Sequence, residues 1–175
     1  MFFQVSSMYS FEFNHIIPLE DLKSLQQGFF LCIWHANKIP PHIGVVIDGA
    51  YFSLKVKGKD VNIPVNEIVK LIEKKGICSV FVKIEQPIEK SDVAHVFSKF
   101  QIAQETKATC LTPITEILQV QNSVHKLSDL LNYFNAKNQI SQVFGLHLDT
   151  HFNGILSYGK EEIEARLKQL SKKLN

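Results

Sequence analysis

The feature that most constrains this chain is a dipeptide, Asp48-Gly49, set between His42-Ile-Gly-Val-Val-Ile47 and Ala50-Tyr-Phe-Ser-Leu-Lys-Val56. Both flanks are rich in β-branched and aromatic residues. A two-residue turn with positive φ at its centre suits Asp-Gly, so the segment predicts a β-hairpin. With Asp48 and Gly49 as the central residues, Ile47 faces Ala50 and His42 faces Lys55. Upstream, Gly28–His35 (GFFLCIWH) is a continuous apolar run, the pattern of a strand buried on both faces. Asn37–Pro41 between them is a loop, because two prolines remove two donors and fix the backbone. The first half is therefore an antiparallel meander.

Phe2–Phe13 partly alternates and predicts an N-terminal strand or extended arm, and Leu19–Leu25 a short helical turn. Val65–Lys75 places Val65, Ile68, Val69, Leu71 and Ile72 at helical spacing, with Gly76 as the stop. Cys78–Ile84 predicts a strand. Ser91-Asp92 caps a helix carrying Val93, Val96, Phe97 and Phe100 on one stripe. Thr112-Pro113 opens a helix to Leu118 or beyond, with Pro where a missing N–H costs nothing. Val124–Phe134 is a further helix and Val143–Leu148 a late strand. Glu161–Leu174 is a terminal amphipathic helix with Ile163, Leu167, Leu170 and Leu174 inward. Early strands, middle helices and one late strand predict an α+β fold, an antiparallel meander or half-barrel with packed helices. No repeat, low-complexity tract or linker interrupts the 175 residues, so 1–175 reads as one domain. At that length a core forms without a metal or disulfide staple.

Charge excludes some partners. Lys and Arg total 19 against 17 Asp and Glu, and the only arginine is Arg166. Nucleic-acid readers use Arg for bidentate contacts, and no basic stripe with interleaved aromatics exists, so a nucleic-acid partner is not expected. No apolar run approaches the roughly 18–20 residues of a membrane span. The start, MFFQVSSMYSFEF, has no Lys or Arg before an apolar segment and does not read as a secretory signal. Cys32, Cys78 and Cys110 are odd in number and scattered, which points to a reducing cytoplasm. No cofactor is implied, and nothing in the pattern specifies an oligomer.

The first candidate site pairs His42 with Cys110. His42 begins a strand after the Pro-Pro turn, so its ring lies near a sheet rim. Cys110 precedes the Thr112-Pro113 helix start. A thiol near a helix N-terminus feels unpaired N–H groups and the positive dipole end, which favour thiolate. A neighbouring imidazole can take its proton, giving a pair that attacks acyl carbonyls. The bland alternative is a small buried hydrophobe and a solvated strand-end imidazole.

The stretch Leu25–Val56, with QQGFFLCIW followed by PPHIGVVIDGAYFSL, resembles the opening of the circularly permuted papain-like fold. That group includes lecithin:retinol acyltransferase-like proteins and permuted relatives of NlpC-type cell-wall peptidases. The resemblance implies a Gly-bearing strand start at Gly28, a histidine strand at His42-Ile-Gly-Val-Val-Ile47 and a late nucleophile at Cys110. It implies a cysteine hydrolase or acyltransferase acting on an amide or ester of a small-molecule, peptide or lipid-like acyl substrate. Cys110 would attack, and His42 would serve as base and then acid. Phe29 after Gly28 departs from the family's usual acidic residue or Gln. Lys55, not a carboxylate, stands opposite His42, and Ser53, one diagonal step away, is the candidate orienting group. These departures support an alternative, an inactive binding module on the same fold.

A third possibility is metal-dependent hydrolysis by His147, Asp149 and His151, which share one face if strand geometry continues past Val143–Leu148. His35 reads as the polar tip of a core strand, near enough to bring a second imidazole to the His42 rim. Lys55-Val-Lys57-Gly-Lys59 reads as a solvated strand face protecting an edge. Cys32 and Cys78 read as inert packing residues.

Overall fold

In the computed structural model, which describes residues 8–173, Asp48 and Gly49 take φ of 45° and 76°. The hairpin they close pairs β4 (His42–Ile47) with β5 (Ala50–Lys55), Ile47 against Ala50 and Gly44 against Ser53. The Asp48 carboxylate also accepts a hydrogen bond from the Gly28 N–H at 2.9 Å, tying the turn to the start of β3 (Phe29–Trp34). β3 lies antiparallel to β4 with Trp34 opposite His42. β5 turns through Val56-Lys57 into β6 (Gly58–Pro64), Lys55 facing Gly58. The meander is thus β3 to β6.

On the other side of β3 come β7 (Ser79–Ile84), β8 (Ile140–Leu146) and β2 (Ile17–Pro18). The sheet order is β2-β8-β7-β3-β4-β5-β6, and only the β2–β8 pair is parallel. β1 (Tyr9–Glu12) pairs antiparallel with β9 (Gly154–Leu156) in a separate two-stranded ribbon. Five helices complete an α+β fold among the described residues: α1 (Val65–Lys75), α2 (Lys90–Ser98), α3 (Thr112–Ile117), α4 (Leu127–Ala136) and α5 (Lys160–Lys172). The expected N-terminal strand is present at Tyr9–Glu12; its earlier residues, like Leu174, lie outside the described region.

Strand alternation splits the core between the two faces of the sheet. Phe29, Leu31, Ile33, Ile43, Val45 and Ile47 point to the face covered by α2, α3 and α4. Phe30, Cys32, Val46, Tyr51 and Phe81 point to the other, where α1 covers them with Val65, Ile68, Val69 and Ile72. α1 has the expected bounds, and Gly76, at φ 59° and ψ 42°, closes it through N–H contacts to Glu73 and Ile72 carbonyls. Leu71, grouped with the inward residues by spacing, is instead 38% exposed. At Gly44 the strand passes under the Tyr51 ring, where a Cβ would lie 2.5 Å from the ring carbon.

In the lysine run Lys55 and Lys57 are exposed as expected, and one expectation is corrected. Lys59, on the edge strand, is not simply solvated: its Nζ donates to the Phe97 and Phe100 carbonyls at 3.1 and 2.8 Å, placing a cation at the C-terminal end of α2. Lys55 is held by Asp60 at 2.7 Å. Helix starts also shift. α2 begins at Lys90 after an N-cap at Glu89, ahead of the expected Ser91-Asp92 cap. α4 begins at Leu127 rather than Val124, because the Asp129 carboxylate accepts the His125 and Lys126 N–H groups and the Tyr158 hydroxyl takes that of Leu127.

Candidate ligand cavity

The loop Asn37–Pro41 delivers the chain to β4 so that His42 stands at the end of the sheet, beside Trp34 on β3. At that end opens a cavity of about 630 Å³. Its apolar wall includes Ile43, Leu54, Ala103, Leu111, Tyr158 and Leu167. α5 forms one side with Ile163, Arg166, Leu167, Gln169 and Leu170. Lys38, Lys55, Lys57, Lys126 and Arg166 stand around it, and among the described residues no Asp or Glu lines it.

His42 and Cys110 both line this cavity. They approach it from different faces. His42 follows the alternation of Gly44 and Val46 and pairs with Trp34, which packs on the α1 side. Cys110 packs with the larger cluster on the opposite side, near the Ile43 backbone. The His42 Nε2 is buried and takes no hydrogen-bond partner among the described residues. Burial above all, then Lys55, lowers its pKa to about 4; Asp60 opposes the shift, and His35 adds to it. The imidazole is therefore neutral over the ordinary pH range.

Cys110 lies one residue before the N-cap, Leu111, of a six-residue helix whose cap makes no side-chain hydrogen bond. Burial raises the thiol pKa, opposed only in part by backbone groups of Ile43, Cys110 and Leu111. A protonated thiol and a neutral imidazole are the resting forms. Cys32 and Cys78 are buried with raised pKa values, as packing residues should be.

Ser53 is fully buried opposite Gly44, and its hydroxyl donates to the Asp60 Oδ2 at 2.8 Å. It is committed to that carboxylate. The absence of a carboxylate directly opposite His42 on β5 agrees with the register, but β6 brings Asp60 in from the next strand, close enough to act on the imidazole. The missed signal was Gly58, at φ 139°, three residues after Lys55. It marks a second tight hairpin and hence another strand.

His35 does reach the same rim as His42. Burial, then Lys38, Arg166 and Lys75, lower its pKa. The shared strand face proposed for His147, Asp149 and His151 does not form. β8 ends at Leu146, His147 turns to φ 49°, and the Asp149 carboxylate accepts from Asn37 at 2.7 Å. All three are exposed, and no set of three metal-ligating side chains gathers among the described residues.

Among the described residues no helix is long and apolar enough to cross a membrane. No family model, curated protein or solved structure matches the chain.

Proposed function

We propose that this chain binds a small acyl-chain ligand, without covalent chemistry, in the cavity at the end of β3, β4 and β5. The carrying observation is the cavity itself: about 630 Å³ of mostly apolar wall open at one end of the sheet. That volume falls within the roughly 300–1,000 Å³ of small-molecule sites, which are largely apolar with few polar groups. Removing a hydrocarbon tail from water against Ile43, Leu54, Leu111 and Leu167 supplies the affinity, about 0.8 kcal/mol per buried methylene.

Displacement of Nile red, an uncharged dye, by dodecanol tests the reading. The wild-type protein is expected to bind dodecanol with micromolar affinity. Ile163→Trp, which narrows the cavity from the α5 side, should weaken it about tenfold, or ~1.4 kcal/mol, at unchanged melting temperature. Equal binding by both proteins, or none by the wild type, overturns the reading.

The resemblance to permuted papain-like hydrolases supplies a second reading, in which Cys110 forms an acyl-enzyme and His42 shuttles the proton. Its support is that both residues line one cavity; the raised thiol pKa and the opposite faces speak for the binding module. Alkylation of Cys110 by iodoacetamide, followed by peptide mass, separates the two. A half-buried, unactivated thiol gives a slow rate still climbing above pH 9. A plateau well below the roughly 8.5 of a free cysteine transfers the conclusion to the hydrolase.

A further inference from the structure

The cations around the cavity are not equivalent. Lys55 is neutralised by Asp60 at 2.7 Å, and Lys126 reaches the Tyr158 carbonyl at 3.4 Å. Lys38 and Arg166 differ. They come from the loop before β4 and from α5, both line the cavity along with His35, and, like Lys57 in the β5–β6 turn, neither is in an ion pair with a carboxylate among the described residues. The Arg166 Nη1 donates to Gln169 Oε1 at 2.8 Å, one helical turn on, which holds the guanidinium at the mouth.

α5 itself is weakly fixed. Leu167 is its one buried residue among those described, and Leu167 lines the cavity. Its other inward residues, Ile163 and Leu170, are half-buried and also line it. The inner face of this helix is therefore shared between the larger core cluster, which Ile163 and Leu167 join, and the cavity.

We infer that the ligand is an anionic amphiphile, a carboxylate on a hydrocarbon tail, whose head is held between Arg166 and Lys38 and whose tail seats α5 against the sheet. This deepens the acyl-ligand reading above and rests on it. A planar guanidinium offers a carboxylate two parallel N–H donors, and a second cation beside it adds attraction without competing for geometry. No acidic side chain among the described residues stands on the lining, so Lys38 and Arg166 repel one another there, and an anionic head offsets that repulsion. The tail meanwhile adds apolar contact along the cavity-facing sides of Ile163, Leu167 and Leu170, beyond what the core gives the first two. Binding and the order of α5 are then coupled, since a ligand that touches only the docked helix shifts the helix toward docking.

Dodecanoate and dodecanol share a tail and differ in the head, so the pair isolates the charge. Wild-type protein is expected to bind dodecanoate about tenfold more tightly than dodecanol at low salt, and dodecanoate should slow amide hydrogen exchange across Lys160–Lys172. Arg166→Gln should lose that preference, read as the ratio of the two affinities within the variant, and most of that protection. Arg166→Lys should recover part of the preference, because the charge returns without the fork. Should Arg166→Gln keep the full preference for dodecanoate, or α5 exchange equally fast with and without ligand in the wild type, the anion clamp is wrong while the acyl-ligand reading stands. Failure of the wild type to bind either compound removes both.

Discussion

Phe97→Ala is expected to cost about 3–5 kcal/mol of folding stability, the range for emptying a fully buried aromatic site. Phe97 has no solvent exposure, sits on the inner face of α2 and packs its ring 5.7 Å from that of Phe52 on β5. Its carbonyl also accepts from Lys59 on β6. The ring thus joins α2 to the β5–β6 hairpin, which carries Lys55, Lys57 and Asp60 at the cavity end. A domain of this kind holds about 5–15 kcal/mol in total, so the variant should remain folded at 25 °C with much of its margin gone. Its melting temperature should fall by roughly 6–20 °C. Thermal and urea unfolding measure this directly. A loss below about 1 kcal/mol would mean that Phe97 does not occupy the interior position described.

Acid is the second large effect. The His42 pKa is about 4 in the folded chain against 6.5 for the ordinary group, so the unfolded chain binds a proton more readily between those values. Stability then rises with pH through this window: it is complete above about pH 6.5 and falls as pH drops toward 4. The loss from this one group amounts to about 2–3 kcal/mol by pH 4.5. His35, lowered in the same direction, adds to it. Urea midpoints at pH 7 and pH 4.5 should separate strongly for the wild type and much less for His42→Gln, which keeps a polar group but does not titrate. An equally steep acid loss in His42→Gln would assign the sensitivity to other groups.

The parts of the fold legible in the sequence were those decided locally. Asp48-Gly49 set a register that held along β4 and β5, because the turn geometry fixes every later pair. α1 was legible to the residue, since Val65, Ile68, Val69 and Ile72 repeat at helical spacing and Gly76 ends the run. β2 and β9, two and three residues long, are too short to carry a period. β6 was hidden for another reason: Lys55, Lys57 and Lys59 look like a water-facing stretch, and the partners that occupy two of them, Asp60 and the end of α2, come from pairing and packing rather than from neighbours in sequence.

The site was legible as residues but not as an arrangement. Alternation puts His42 on the side of Trp34, and the sequence carries that much. Which side of the sheet α3 then chooses is a matter of packing, and it sets Cys110 across β4 from the imidazole. Arg166 drew notice only as the chain's lone arginine. Its place at the cavity mouth follows from the docking of α5, which no local pattern encodes.

Gly44 leaves a hollow in β4 that the Tyr51 phenol fills, and that ring in turn lies 6.0 Å from Trp34, the neighbour of His42. Two aromatic plates therefore lean in sequence from the middle of the sheet toward its open end. A single methyl group added at the hollow would push the first plate onto the second, so the shape of the chamber is set partly by an atom that is missing two residues along the strand from its wall.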